Sequence, residues 1–127
     1  FDMRFSGLKT SVINLVHQAK QKGESLDEPS LAASFCKAVS DSLVPRTIEA
    51  AKTFGHDKIV VAGGVAANSR IRRDFENACE KAGLELFFPP LKLCGDNGAM
   101  IGAQGYYEYL SGNITDLDLN AYANMSI

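Results

Sequence analysis

The chain has 127 residues, 46% of them hydrophobic, which suffices for one domain that buries roughly two thirds of its unfolded surface. A formal net charge of −2 and a pI near 5.6 exclude an overall basic field for nucleic acid, so a polynucleotide partner would find its main binding surface elsewhere. Cys36, Cys79 and Cys94 are odd in number and lack C-x-x-C spacing, which indicates neither a disulfide framework nor a zinc knuckle and favours a reducing cytosol.

The chain opens on an alternating segment, Phe1, Met3 and Phe5 against Asp2, Arg4 and Ser6, which predicts a strand. It starts without an initiator methionine and in mid-strand, so further chain is expected before it. Leu8, Val12, Leu15 and Val16 predict a helix from Leu8 to about Gln21, ended by Lys22-Gly23-Glu24-Ser25. Asp27 can cap a long second helix with Pro29 in its first turn and Leu31, Phe35, Ala38 and Val39 as the inward stripe. Pro45 predicts a kink or division near Val44, and Gly55 a stop. Ile59, Val60, Val61 and Ala62 show no polar alternation, as expected of a strand covered on both faces.

After Gly63 and Gly64, Ser69 to Lys81 carries Ile71, Phe75, Ala78 and Ala82 on one helical face, with Gly83 at the end. Leu86-Phe87-Phe88 reads as a short buried strand closed by Pro89-Pro90. A last helix runs from Gly98 to Leu110, and 111–127 is an extended tail. Strand, helix, strand, helix at this spacing argues an α/β fold with a right-handed parallel βαβ unit. No apolar run approaches the roughly 20 residues that cross a bilayer and no signal peptide opens the chain, so a soluble cytoplasmic protein without a membrane partner is expected.

Two strand-to-helix junctions carry the candidate chemistry. Gly63 and Gly64 allow a sharp turn and close backbone approach, the layout of a nucleotide cradle, although neither G-x-G-x-x-G nor G-x-x-x-x-G-K-[ST] occurs. Asn68 is either a helix cap or a ligand contact, and Asp96 is either a cap or a functional carboxylate. Arg70, Arg72 and Arg73 form a small basic cluster that is either a solvated face or a phosphate contact. Cys94 has no neighbouring histidine and reads as a small buried side chain rather than a nucleophile. Gly98, Gly102 and Gly105 leave a smooth strip for close packing. Asn113-Ile114-Thr115 and Asn124-Met125-Ser126 match the glycosylation sequon, without consequence in the cytosol.

Phe5-Ser6-Gly7-Leu8-Lys9-Thr10, Gly63-Gly64-Val65-Ala66-Ala67-Asn68 and Leu93-Cys94-Gly95-Asp96-Asn97-Gly98-Ala99-Met100-Ile101, in this order, closely resemble the universal tRNA threonylcarbamoyladenosine transferase family, formerly described as O-sialoglycoprotein endopeptidases. The likeness covers Phe5 to about Leu110. It implies an actin-like ATPase fold, with a mixed sheet covered by helices, and makes 1–127 the C-terminal lobe of a longer two-lobe protein with its active site between the lobes. It makes Asp96 a metal ligand, alongside two histidines from the other lobe, for one divalent metal: iron in first place, zinc as the alternative. His17 and His56 lack H-x-x-x-H spacing, so the metal site is not complete within this chain. Asn68, Gly63 and Gly64 become contacts to ATP or threonylcarbamoyl-AMP, with Ser6, Lys9 and Asn97 as weaker candidates; no general base stands out.

The activity implied is transfer of threonylcarbamoyl from threonylcarbamoyl-adenylate to N6 of the adenosine next to the anticodon, by the full-length protein and not by this fragment alone. Partners implied are tRNA and the proteins of the modification complex, an actin-like paralogue among them. A non-catalytic paralogue serving as a dimerisation scaffold is a rival, against which Asp96-Asn97 speaks. The older metalloprotease label lacks an H-E-x-x-H motif here, and an actin-like sugar kinase is a more distant option. Cys36 stands where the family leads one to expect glutamine, which touches only local packing or hydrogen bonding.

Overall fold

The computed structural model of the chain describes residues 1–3 and 5–120; the Asn124 sequon lies outside them. Four helices, α1 (Ser6–Lys22), α2 (Glu28–Thr53), α3 (Ser69–Ala82) and α4 (Gly98–Leu110), accompany two strands, β1 (Lys58–Val60) and β2 (Glu85–Phe87). Short 3-10 turns at Gly64–Ala67 and Leu91–Leu93 precede α3 and α4. The architecture is α/β.

The strands pair in parallel, Ile59 opposite Leu86, with α3 as the crossover. The sheet is therefore a two-stranded parallel one among the described residues, not mixed. Among the described residues before α1, which begins at Ser6, there is no strand; on α1 Leu8, Val12 and Val16 are half-buried and Leu15 is exposed. The alternation of Phe1, Met3 and Phe5 is too short to hold an extended conformation without a neighbouring strand to pair with.

Three helices end in the same way. Gly23, Gly55 and Gly83 take φ of 68°, 70° and 68°, and the next residue donates back across the last turn, Glu24 to Ala19 at 2.9 Å, His56 to Ala51 at 2.8 Å and Leu84 to Cys79 at 3.0 Å. These are Schellman stops, where a residue with Cβ would be strained. Helix α2 starts at Asp27, whose carboxylate accepts from the Ser30 N–H at 3.4 Å. Pro45 lies inside α2 and does not divide it. The carbonyl deprived of its donor belongs to Asp41, which is exposed and within reach of water, so the usual penalty is softened.

The core gathers Val44 and Ala51 of α2, Ile59 of β1, and Ile71, Phe75 and Cys79 of α3. The expected α3 stripe is present, with Cys79 rather than Ala82 buried beside Ile71 and Phe75. On α2 the buried residues are Ser40, Val44 and Ala51; Leu31, Ala38 and Val39 are half-buried and Phe35 exposed, because the core lies against the later part of the helix. The β1 run is covered on one face only: Ile59 is 5% exposed and Val60 71%. Helices α2 and α3 both contribute to the cluster around Ile59 and Leu86, and among the described residues nothing comparable covers Val60 and Phe87. Leu86 is half-buried rather than buried, for the same reason.

Helix α4 has the expected bounds, but Met100, Ile101, Tyr106, Tyr107, Tyr109 and Leu110 are exposed. A methyl group added at Gly98, Gly102 or Gly105 would meet nothing within 4 Å, so the glycine strip is open rather than closely packed. Residues 111–120 carry turns without a helix or strand. No helix among the described residues is long and apolar enough to cross a membrane.

Candidate functional site

Both strands of a parallel sheet point their C-terminal ends the same way, and loops leaving such ends are where α/β folds place ligands. The loop after β1 carries Gly63 and Gly64, and the loop after β2 carries Asp96 and Asn97. The two loops line one cleft of about 470 Å³, with Gly63 and Gly64 on one wall and Cys94, Gly95, Asp96 and Asn97 on the other.

Gly63 sits at φ 91°, ψ 173°, a conformation that L side chains essentially do not adopt. Its carbonyl accepts from the Ala66 N–H at 3.0 Å, and that bond turns the chain into the Gly64–Ala67 segment. Gly64 has an ordinary φ and open space where a Cβ would stand, so the fold itself makes no steric demand for glycine there.

Asp96 and Asn97 divide the two roles that sequence left open. Asn97 is the cap of α4: its Oδ1 accepts from the Met100 N–H at 3.0 Å, and its Nδ2 donates to the carbonyls of Leu93 at 3.2 Å and Gly95 at 2.9 Å. Asp96 lines the cleft, exposed, with no hydrogen bond or ion pair among the described residues. Its carboxylate is not consumed as a helix cap and keeps all its acceptor capacity.

Asn68 is the cap of α3, its Oδ1 accepting from Arg70 N–H at 3.0 Å and Ile71 N–H at 3.2 Å. One amide hydrogen points to Cys36 Sγ at 3.7 Å. Asn68 lies not in the Asp96 cleft but in an adjoining, larger apolar hollow of about 670 Å³, which shares Gly64 with it and is also lined by Phe5, Leu8 and Cys36. The residue in the unexpected position, Cys36, is thus the direct neighbour of a candidate ligand contact. Ser6 opens α1, its carbonyl accepting from Thr10 Oγ1 at 3.1 Å, and Lys9 lines a separate hollow between α1 and α2. Neither lines the Asp96 cleft.

The basic cluster is largely employed inside the fold. Arg70 Nε donates to Asp74 Oδ2 at 2.6 Å, and the same oxygen accepts from Ser40 Oγ at 2.7 Å. The hydrogen bond to Arg70, then that to Ser40, hold the Asp74 carboxyl below the ordinary carboxylate range, and Asp74 raises Arg70 in return. Arg72 Nε donates to the Ala66 carbonyl at 2.6 Å, its Nη2 to the Pro89 carbonyl at 2.8 Å, and its guanidinium lies 4.4 Å from the centroid of the Phe88 ring. Arg70 and Arg72 thus have fixed partners within the fold, while Arg73 is exposed, 3.7 Å from Asp74. Sequence treated the three arginines as equivalent, and only their angular position around α3 separates them.

Cys94 is buried and receives Arg72 Nη2 at 3.4 Å, in keeping with a packing role. Burial raises the Cys79 thiol. Among the described residues no three His, Cys, Asp or Glu side chains converge; His17 lies on α1 and His56 follows α2.

Comparison with known proteins gives the same direction as the cleft. Residues 1–103 match the family model for tRNA N6-adenosine threonylcarbamoyltransferase. Proteins of that name from Clostridium botulinum (strain 657 / Type Ba4) and Moorella thermoacetica are 47% and 48% identical over 126 residues, which is 99% of this chain. One from Latilactobacillus sakei is 49% identical over 98% of it. The chain spans 37% of the length of each of these relatives. With most of its length matched by the family model and nearly all of it by close relatives, the chain belongs to the tRNA N6-adenosine threonylcarbamoyltransferase family.

Proposed function

We propose that this chain is the C-terminal, actin-like lobe of a protein that transfers threonylcarbamoyl from threonylcarbamoyl-adenylate to N6 of the adenosine next to the anticodon of tRNA. Asp96 carries the reading: it is the unengaged carboxylate of the cleft while its neighbour Asn97 does the capping. The N6 amine attacks the carbamoyl carbon, a C–N bond forms, the C–O bond to the adenylate phosphate breaks, AMP leaves and the amine proton passes to solvent. The Gly63–Gly64 backbone would approach the adenylate closely. Asn68, with Oδ1 filled by two donors, would contribute the second hydrogen of its Nδ2.

A single hard oxygen donor fits a divalent metal completed by ligands from the remainder of the protein, iron or zinc with imidazole. When bound, such an ion supplies Lewis acidity toward the acyl oxygen. Asp96 would hold it beside the wall on which the adenylate rests. Further partners in this reading are tRNA and the other chains of a modification complex, including an actin-like paralogue, in the cytoplasm.

The test is mass spectrometry of tRNA nucleosides from cells whose full-length protein carries Asp96→Ala at normal abundance. Loss of threonylcarbamoyladenosine is expected; its persistence at the usual level would remove Asp96 from the chemistry and favour a scaffold.

A further inference from the structure

Arg72 is the side chain whose hydrogen bonds, among the described residues, reach both walls of the cleft. Its Nε takes the Ala66 carbonyl in the Gly64–Ala67 turn, and its Nη2 takes the Pro89 carbonyl and Cys94 Sγ in the loop that leads to Asp96. The guanidinium plane is held over Phe88, the first residue after β2. We infer that Arg72 is a positioning residue, which sets the separation between the Gly63–Gly64 wall and the Asp96 wall; this rests on the adenylate reading given above.

The chemistry suits arginine and not lysine. A planar fork donates in two directions at once and stacks on a ring, whereas an ammonium is a compact, strongly hydrated point charge. Ala66 lies in the Gly64–Ala67 turn and Pro89 follows β2, so the fork adds a direct tie between two loops that α3, the short strand pair and the bond from Val61 N–H to the Phe87 carbonyl also hold in register. A site held loosely by its supporting residues binds and orients poorly even when every contact group is present. Arg70, two residues earlier on the same helix, serves as the control, because its side chain bonds Asp74 within α3, the carboxylate that also takes Ser40 of α2, and touches neither loop.

The experiment uses the full-length protein with Arg72→Lys, Phe88→Leu and Arg70→Lys. Binding of AMP is measured by calorimetry, and Tm and amide exchange of residues 63–67 and 91–96 are followed alongside. Arg72→Lys is expected to weaken AMP by about tenfold and to speed exchange in both loops, the equivalent of losing one or two hydrogen bonds from the cleft's support. Phe88→Leu, which keeps the guanidinium and removes its platform, should do the same to a smaller degree. Arg70→Lys should lower Tm at least as much while leaving AMP affinity within about twofold, a change small against the tenfold expected of Arg72→Lys.

Wild-type affinity and exchange in Arg72→Lys, or an equal loss of affinity in Arg70→Lys, would overturn the inference. If Arg72→Lys does not fold, unchanged AMP binding and exchange in Phe88→Leu would overturn it instead. Failure of the wild-type protein to bind AMP at all is a different result, which defeats the adenylate reading and the inference with it.

Discussion

Ser40 Oγ donates to Asp74 Oδ2 at 2.7 Å and so joins α2 to α3 by the one buried polar side chain among the described residues. The same carboxylate holds Arg70, and its pKa is lowered by both bonds. The folded value lies below the unfolded one of about 3.9, so this contribution is complete above that pH and is lost as pH falls through the folded pKa. Asp74→Asn should remove that acid-dependent portion and flatten the stability profile below about pH 4. Urea titrations of wild type and variant from pH 3 to pH 7 check it; parallel profiles would contradict it.

Asp96→Ala and Asn97→Ala should separate activity from stability. Removing the cap at Asn97 should cost about 1 kcal/mol. Removing the unpartnered Asp96 should change stability by less than about 0.5 kcal/mol while abolishing threonylcarbamoyladenosine formation. Chemical denaturation of both full-length variants, beside nucleoside analysis, would show the pattern or its reverse.

Gly63→Ala and Gly64→Ala differ in backbone demand, although neither new methyl group meets a neighbour within 4 Å. At Gly63, φ 91° makes any side chain strained, and a loss of roughly 1–3 kcal/mol is expected. Gly64→Ala should leave Tm nearly unchanged, so a fall in AMP affinity there would report the ligand's own need for space. Equal thermal shifts in the two variants would contradict this assignment.

Phe75→Ala should cost about 3–5 kcal/mol, since Phe75 is 1% exposed at the centre of the cluster shared by α2, α3 and β1. Loss of a smaller amount in equilibrium unfolding would mean that the core collapses around the cavity.

Elements whose structure depends on neighbours along the chain were legible. The stops at Gly23, Gly55 and Gly83, the cap at Asp27 and the bounds of α3 and α4 follow from local chemistry that sequence displays. What depended on distant residues was not. Nothing in Ile59-Val60-Val61 says that only one face is covered, because an apolar side chain reads alike whether or not another layer lies over it. The opening alternation has no pairing strand among the described residues, and Pro45 stands inside α2 where Asp41, whose carbonyl loses its donor, is exposed. In the site, Gly63, Gly64, Asp96 and Asn97 were named from motif and do share a cleft, whereas Ser6 and Lys9 line no part of it. Arg72 was hidden by composition: its neighbours Arg70 and Arg73 are the same residue, and only the turn of α3 distinguishes a loop clamp from an ion pair.

Helix α3 is pinned at one end by the Asn68 cap and at the other by the Gly83 stop, and between them it presents Arg72 to the loops and Phe75 to the core. Each residue advances a helix by about 100°. One residue added between Arg72 and Phe75 would leave either the clamp or the core facing the wrong way, and one added between Asn68 and Arg72 would swing the fork off both carbonyls. The length of this helix is thus a dimension of the cleft, and the segment should tolerate substitution on its outer face far better than any insertion or deletion.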